Sequence, residues 1–268
     1  MSLEDFARTR SFAIAETEPE RFWFQSAPFP DGTRIRCALG EQDTQYIALE
    51  EIIALDPGLF EEAAVLDIGA ADGLYSLMAA HGGARSLAAI DCDYTDWPLN
   101  LQALTAAWTL DIDILTGDFR RHDFGARRFD VILFMGVLYH LEDPFSAIRQ
   151  FRDLLKPGGR LLIETQLSML ETDLPVFELA SDLFETAAVQ AEGHVDAVGV
   201  SNYVFPNRLA MAQLARTYGF SCRWLEPAVY SERFRDRGIF LFEKLEEGAR
   251  WDPAEMLDRA GLPYRRRT

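Results

Sequence analysis

The sequence predicts an α/β fold in which helices cover both faces of a doubly wound, mostly parallel sheet. From residue 64 onward, apolar segments of strand length alternate with amphipathic segments of helix length. Continuous apolar strands of this kind are typical of parallel sheets, because both faces of such a sheet are buried. Two more strands with a short connection end the pattern, which predicts an antiparallel last strand. We therefore expect a Rossmann-like sheet of seven strands.

The individual elements follow from apolar periodicity and from cap residues. The first five strand candidates are Ala64–Ile68, Ser86–Asp91, Ile112–Thr116, Asp130–Phe134 and Arg160–Glu164. The helix candidates among them are Leu74–His81, Trp97–Trp108 and Pro144–Leu155. Asp143 is the predicted N-cap of the third helix, and the run Lys156–Gly159 its predicted end. The last elements are a helix over Asn207–Tyr218, closed by Gly219, and strands over Ser221–Leu225 and Gly238–Leu245.

Three regions lie outside this rhythm. Residues 1–58 form a predicted N-terminal extension, with a helix over Thr44–Leu55 and aromatic residues (Phe22, Trp23, Phe24) that suit either a lid or core packing. An insertion at about 170–202, helical over Val176–Gln190, follows the fifth strand. Residues 246–268 form a predicted surface tail. The remaining residues, 59–245, are expected to form the main domain.

Composition and net charge limit the classes of partner that the protein is expected to bind. The chain is 49% hydrophobic and 26% charged, as in ordinary globular enzymes, and its formal net charge is −17. This charge disfavours nucleic acid and anionic membrane surfaces, which attract clustered Lys and Arg. We see no membrane span and no signal peptide, and Cys37, Cys92 and Cys222 suggest neither a disulfide framework nor a metal site. We expect a cytoplasmic protein without a metal, whose oligomeric state stays open, a homodimer being one option.

The most informative segment is the turn that follows the first sheet strand, Asp67-Ile68-Gly69-Ala70-Ala71-Asp72-Gly73. Glycines at this position let the backbone approach a ligand at the carboxyl end of a strand. A phosphate-binding P-loop is excluded because it needs a Gly-Lys-Ser/Thr sequence. A dinucleotide fingerprint fits poorly, since Ala71 and Leu74 replace its second and third glycines. A tight turn without a ligand remains the alternative.

This turn resembles the first motif of class I S-adenosylmethionine (SAM)-dependent methyltransferases, with Ala71 in place of the middle glycine. Asp91 ends the next strand 22 residues after Gly69, a spacing that suits a carboxylate accepting both ribose hydroxyls. In the family that the motif resembles, the acid matching Asp118 accepts from the adenine amino group, and an aromatic neighbour, here Phe119, stacks on the base. Each acid alone also suits a helix cap or a loop.

A second resemblance starts at the end of the fourth strand, in the run Met135-Gly136-Val137-Leu138-Tyr139-His140. This run is similar to a segment of the bacterial tRNA wobble-uridine carboxymethyltransferases, and the similarity covers about residues 60–245. That family holds a carboxylated SAM with a lysine, a tyrosine and an arginine, of which Tyr139 and Arg237 match the last two. Residues 1–64 contain no lysine. Ordinary SAM and a smaller acceptor are therefore favoured, although Arg34 or Arg36 offers a replacement charge.

The resulting hypothesis is a SAM-dependent methyltransferase that acts on oxygen or nitrogen of a small molecule. Tyr139 is expected to position the reactants and His140 to accept a proton; a structural role for His140 is the alternative. His194 is more typical of a surface loop, and His81 and His122 of structural or exposed positions. The alternatives are a tRNA-modifying (carboxy)methyltransferase, a non-catalytic SAM-binding module and, more distantly, an NAD-dependent oxidoreductase. The predicted cofactor-binding residues are Asp67, Gly69, Ala70, Ala71, Gly73, Asp91, Cys92, Asp118, Phe119, Met135 and Arg237.

Overall fold

The computed structural model describes residues 3–15, 23–35, 52, 56–92, 97–179, 203–225 and 237–246. The chain divides into two compact units. The first comprises Met1–Leu133 and Pro227–Ser231, and the second comprises Phe134–Glu226 and Glu232–Thr268. The domain bounds expected from the sequence, at residues 58 and 245, stay predictions.

The described strands, in chain order, are β1 (Ala13–Ile14), β2 (Ala27–Pro28), β3 (Thr33–Ile35), β4 (Ala64–Ile68), β5 (Ser86–Asp91), β6 (Asp113–Thr116), β7 (Phe129–Met135), β8 (Leu155–Gln166), β9 (Phe177–Leu179), β10 (Val204–Pro206), β11 (Phe220–Leu225) and β12 (Arg237–Lys244). The described α-helices are α1 (Leu3–Arg8), α2 (Leu74–His81), α3 (Trp97–Trp108), α4 (Pro144–Leu154) and α5 (Arg208–Thr217).

The main sheet has seven strands in the order β11-β12-β8-β7-β4-β5-β6. The central apolar strands β4 and β5 pair in parallel, as do β5 and β6. Strand β12 is antiparallel to both of its neighbours, β8 and β11. The α/β fold and the antiparallel last strand predicted from the sequence are therefore confirmed.

In the first unit, strand β4 is buried along its whole length and pairs with β5 from Ala64 opposite Ser86 to Ile68 opposite Ile90. Helix α2, which follows β4, buries six of its residues, from Leu74 to Ala79. Burial of both elements fixes the connection between them, residues 69–73. The N-terminal helix α1 packs near the end of α2, since the rings of Phe6 and His81 lie 5.3 Å apart.

In the second unit, β8, β12 and β11 carry an apolar core in which Phe240 and Phe242 are almost wholly buried. Helix α4 buries one face against this core and begins at Asp143, whose side chain accepts a hydrogen bond from the Ser146 N–H. This N-cap is the one predicted. Helix α5 is capped in the same way by Asn207, which accepts from the Ala210 N–H.

Two predicted elements need correction. Strand β8 begins at Leu155, directly after α4 ends at Leu154, so the Lys156–Gly159 run lies inside the strand. The helix does end just before this run, as predicted, but the strand begins at Leu155 rather than at Arg160. The backbone is tightly packed within the run, since a Cβ on Gly159 would lie 2.8 Å from the Lys156 carbonyl oxygen.

The second correction concerns Phe177–Leu179, predicted as helical, which form strand β9 and pair with β10. A short apolar run is compatible with the periodicity of either a helix or a strand. Here, hydrogen bonding to β10 makes the segment a strand. The predicted helix over Thr44–Leu55 lies outside the described residues except for Ile52, which is helical. The rest of the insertion helix, residues 180–190, also lies outside them, as does most of the C-terminal tail.

Candidate functional site

The connection between β4 and α2, residues 69–73, is here called the cofactor loop. Three of its residues have positive φ: Gly69 at 73°, Ala71 at 48° and Gly73 at 95°. Gly73 is also the N-cap of α2, and a Cβ on it would lie only 2.2 Å from Leu101 Cδ1 in α3. Glycine is therefore required at this position both by backbone conformation and by close packing. Ala71 tolerates the left-handed region at a modest cost.

Asp91, at the end of β5, is tied directly to the cofactor loop. Its Oδ2 accepts from the Ala71 N–H at 2.7 Å, and its Oδ1 accepts from the Cys92 N–H at 2.7 Å and from Cys92 Sγ at 3.3 Å. Burial raises the pKa of this carboxyl group above its ordinary value. A carboxylate oxygen accepts about two hydrogen bonds, so Oδ2 keeps an acceptor position for a ribose hydroxyl. The structure thus brings together the loop and the acid that the sequence singled out.

Asp67, in β4, is an almost wholly buried acid, with 1% of its surface exposed. Its Oδ2 accepts from the Ser76 hydroxyl at 2.7 Å, whereas its Oδ1 has no hydrogen-bond partner among the described residues. Burial raises its pKa from 3.8 to about 7. A buried acceptor without a partner is costly, and the ammonium or amide donor of a bound ligand would satisfy it.

Asp118 lies just past β6 and directly after Gly117, whose N–H donates to the Asp91 carbonyl at 2.8 Å. Its two carboxylate oxygens accept from Arg120 Nε and Nη2 at 2.8 and 2.9 Å, and this hydrogen bonding lowers its pKa. The sequence argument did not anticipate Arg120, which competes with an adenine amino group for the same oxygens. Phe119, next in the chain, is 9% exposed. Its contact with adenine stays a prediction.

The N-terminal segment reaches the cofactor loop, a contact that sequence reasoning missed. The Gln25 N–H donates to Asp72 Oδ2 at 2.6 Å, and Gln25 Oε1 accepts from the Leu74 N–H at 3.0 Å. Asp72 Oδ1 accepts from Asn100 Nδ2 at 2.7 Å. Trp23 is 4% exposed, which fits the core-packing alternative for this residue. The position of this glutamine directly after the aromatic run Phe22-Trp23-Phe24 was the only signal in the sequence, and it is a weak one.

In the second unit, a 3₁₀ turn over Leu138–His140 follows β7 and carries Tyr139. Arg237, at the start of β12, donates from Nη2 to the Tyr139 hydroxyl at 3.2 Å and lies 5.2 Å from the centre of its ring. The structure therefore brings together the tyrosine and the arginine that the second sequence resemblance had paired.

Glu164 completes this group. It accepts from Arg237 Nε and, at 2.9 Å, from Arg237 Nη2, so that the fork of the guanidinium is engaged by a carboxylate. Burial disfavours the charged guanidinium, but the Glu164 carboxylate outweighs it and raises the pKa of Arg237. Sequence analysis assigned no role to Glu164. Its signal was an acid within an apolar strand, which predicts a buried partner.

Gly136 borders this group, since a Cβ there would lie 3.6 Å from Glu164 Oε2 and 3.7 Å from the Tyr139 hydroxyl. Met135 ends β7 and is 6% exposed. The His140 ring lies 4.1 Å from that of Tyr139. The second unit thus places the predicted catalytic pair on one short turn.

Of the remaining histidines and basic candidates, the structure describes His81, His122 and Arg34. His81 packs between Phe6 and Trp108, with ring centres 5.3 and 4.7 Å away, and burial lowers its pKa to about 4. It is structural. Arg34 lies in β3, whereas Arg36 and His194 lie outside the described residues.

The described residues contain neither a membrane-spanning helix nor a cluster of metal-binding side chains. No helix there is long and apolar enough to cross a bilayer. No cluster of three or more His, Cys, Asp or Glu side chains suited to a metal ion occurs there either.

Comparison with known proteins was made on sequence and on structure. The family model described as a methyltransferase domain matches residues 41–224, more than half of the chain. A tRNA U34 carboxymethyltransferase of Methylococcus capsulatus is 31% identical over 101 residues, which cover 38% of this chain and 31% of that protein. A ubiquinone biosynthesis O-methyltransferase of Cereibacter sphaeroides is 36% identical over 124 residues, covering 46% of this chain and 49% of that protein. The chain thus spans between about a third and a half of the length of each of these curated relatives.

Solved structures agree on the fold. A SAM-dependent methyltransferase from Mesorhizobium loti superposes with a TM-score of 0.56 at 15% identity, covering 74% of this chain and 98% of that one. An O-methyltransferase family protein from Burkholderia thailandensis superposes with a TM-score of 0.51 at 15% identity. The match covers 77% of this chain and 61% of that one. With the family match and the glycine-loop geometry, these likenesses identify the chain as a member of the class I SAM-dependent methyltransferases.

Proposed function

We propose that this protein transfers a methyl group from SAM to an oxygen or nitrogen atom of a small-molecule acceptor. The observation that carries the proposal is the hydrogen bond between the Ala71 N–H and Asp91. It joins the cofactor loop to the acid that follows the next strand, the arrangement that an adenosine ligand needs at the carboxyl end of a parallel sheet.

The proposed binding roles follow from the first unit. Asp91 accepts the ribose hydroxyls, and the bare backbone of Gly69 and Ala70 gives room for the amino-acid part. Asp67 supplies the unsatisfied acceptor Oδ1 toward a positively charged group, because a carboxylate favours a nearby cation. Asp118 and Phe119 bind adenine. Arg120 then either leaves the Asp118 carboxylate or shares it with the adenine amino group. Cys92 and Met135 complete the predicted set.

SAM supplies an electrophilic methyl group on a sulfonium, and its displacement by an acceptor needs little more than alignment and exclusion of water. We assign alignment to Tyr139, whose hydroxyl is fixed by Arg237. His140, on the same turn, is the proposed base for an acceptor that must lose a proton, since imidazole titrates near neutrality. The cytoplasmic location expected from the sequence remains a prediction.

Carboxymethyl transfer to tRNA is the second candidate, because Tyr139 and Arg237 lie together and because relatives at about a third identity bear that name. Three observations weigh against it. The Arg237 fork is occupied by Glu164. Residues 1–64 contain no lysine, and the net charge is −17.

Calorimetric titration of the purified protein separates these candidates. We expect saturable binding of SAM and S-adenosylhomocysteine (SAH), and binding of carboxylated SAM at least about tenfold weaker, a difference of roughly 1.4 kcal/mol. Binding of NAD in place of SAM and SAH would refute the proposed function. Preference for carboxylated SAM would select the second candidate.

Turnover tests the catalytic roles and the possibility of a non-catalytic SAM-binding module. With an acceptor found by screening phenols, carboxylates and amines for SAH release, we expect Tyr139→Phe and His140→Ala to lower kcat while leaving the SAH Kd unchanged. Unchanged turnover in both variants would remove the roles given to this turn. SAH binding without turnover of any acceptor would favour the module.

A further inference from the structure

The N-terminal end of helix α2 has an unusual cap. The N-cap residue Gly73 has no side chain, so it cannot accept a hydrogen bond from the first turn of the helix. Unsatisfied N–H groups at a buried helix start need another acceptor. That acceptor is Gln25 Oε1, which lies 3.0 Å from the Leu74 N although it is 49 residues away in the chain.

The same glutamine holds the residue before the cap. Its main-chain N–H donates to Asp72 Oδ2 at 2.6 Å, and Asn100 of α3 donates to the other oxygen at 2.7 Å. Gln25 is 4% exposed, and Asp72 and Asn100 are fully buried. If the contact were lost, the Leu74 N–H and the Asp72 carboxylate would each lose a hydrogen bond in the interior.

Gln25 is itself held rigidly. Trp23, two residues earlier, is buried and packs edge-on against Phe29 at 6.3 Å, and the Phe24 ring lies 5.8 Å from Trp97. Three residues later, the Pro28 carbonyl accepts from Trp108 Nε1 at 2.9 Å. The segment therefore presents Gln25 to the loop at a fixed position, as packing on both sides demands.

We propose that Gln25 is a positioning residue for the cofactor loop, its side-chain amide capping α2 while its main-chain N–H holds Asp72. The loop runs from Gly69 to Gly73, and this contact holds one of its residues, Asp72, together with Leu74, the residue directly after the loop. The N-terminal segment thus belongs to the cofactor-binding machinery and shapes its backbone. This inference rests on the proposed function, since it assumes that the loop binds the cofactor.

Three variants test the inference by calorimetric SAH binding and thermal unfolding. Gln25→Met has nearly the same shape but no acceptor, and Gln25→Glu keeps an acceptor that a helix N-terminus favours. Asn207→Leu removes a comparable buried cap from α5, in the other unit. We expect Gln25→Met to weaken SAH binding at least about fivefold, and Gln25→Glu by less than about threefold. Asn207→Leu should lower Tm with an unchanged Kd.

The inference is overturned if Gln25→Met binds SAH as the wild type does. It is also overturned if Gln25→Glu weakens binding as much as Gln25→Met, or if Asn207→Leu weakens it equally. A wild-type protein that binds neither SAM nor SAH would instead contradict the proposed function itself. The wild-type titration therefore separates failure of the site from failure of the role given to Gln25.

Discussion

Asp67 and Asp91 belong to neighbouring strands but lie in different surroundings. Asp91 accepts hydrogen bonds on both oxygens from the backbone of Ala71 and Cys92. Asp67 accepts from Ser76 on one oxygen, and among the described residues its other oxygen is buried without a hydrogen-bond partner. Desolvation therefore acts most strongly on Asp67, the acid least compensated by donors. Burial raises the pKa of both carboxyl groups, while the donors around each of them differ.

The pKa of Asp67 gives a prediction on stability against pH. In the folded protein it is about 7, against 3.8 as the ordinary value, so between about pH 4 and 7 the folded state binds more protons than the unfolded state. Stability from this group therefore falls as pH rises. For Asp67→Asn we expect the Tm difference, variant minus wild type, to grow from pH 5 to pH 8. The underlying free-energy change is at most roughly 4 kcal/mol.

Asp31→Asn is the control for that experiment, because hydrogen bonds from Thr33 lower the pKa of the exposed Asp31. Its Tm difference should not grow over the same pH range. Thermal unfolding followed by circular dichroism at several pH values measures both. A pH-independent difference for Asp67→Asn would mean that Asp67 is ionised in the folded protein throughout.

At the scale of elements, helices α2, α4 and α5 begin in two different ways. Helices α4 and α5 are capped by the side chains of Asp143 and Asn207, the residues that come just before them. Helix α2 begins at a glycine and takes its acceptor from the N-terminal segment. A local cap stabilises a helix independently of its surroundings, whereas the start of α2 depends on tertiary packing.

Asp143 therefore offers a simple test of local capping. We expect Asp143→Ala to destabilise the protein by about 1 kcal/mol, because the Ser146 N–H loses its acceptor. This corresponds to a fall in Tm of roughly 2–4 °C for a chain of this size. Asp153→Ala, an exposed change near the end of the same helix, should leave Tm unchanged. Equal effects of both changes would contradict the capping role.

Gly73 tests the packing of α2 against α3. We expect Gly73→Ala to destabilise the protein by about 2–5 kcal/mol, since its positive φ costs about 1–2 kcal/mol and overpacking adds about 1–3. SAH binding should be lost with it. Gly32→Ala has a similar φ of 85° but open space around the new Cβ, so only the conformational cost should appear.

The second change Leu101→Ala should restore part of the stability of Gly73→Ala, because Leu101 Cδ1 is the atom that the new Cβ meets. Chemical denaturation of the four proteins gives the coupling energy. Strict additivity of the two changes would show that the clash is relieved elsewhere.

At the scale of the whole molecule, charge is the dominant property. The 43 acidic residues outnumber the 26 basic ones, and only two of the latter are lysines. A surface potential of this sign repels phosphate backbones and slows their approach. The same charge does not oppose a sulfonium or a small neutral acceptor.

We therefore expect no saturable binding of tRNA in fluorescence anisotropy at low salt, up to about 10 µM protein, where nonspecific binders already associate. A basic RNA-binding protein serves as the positive control. Saturable binding that weakens steeply with added salt would contradict this expectation and would revive the tRNA-modifying alternative.

The sequence by itself determined the α/β fold and, within the candidate site, the glycine turn and Asp91. The bounds of β4, β5, α2 and α3 follow within a residue from the alternation of apolar strand-length and helix-length segments, because a strand buried on both faces is a continuous apolar run. The glycine turn and Asp91 were recognisable because both lie at strand ends, where parallel topology brings them together.

Contacts between residues distant in the chain left no such signal, and the tertiary structure alone decided them. Gln25 capping α2 and Glu164 holding Arg237 both depend on which side chains meet after folding. The β9 strand likewise exists only through its pairing with β10. The periodicity of a segment reflects which of its residues are exposed to solvent. A buried hydrogen bond needs a specific partner, and when that partner lies in another segment, neither segment alone predicts it.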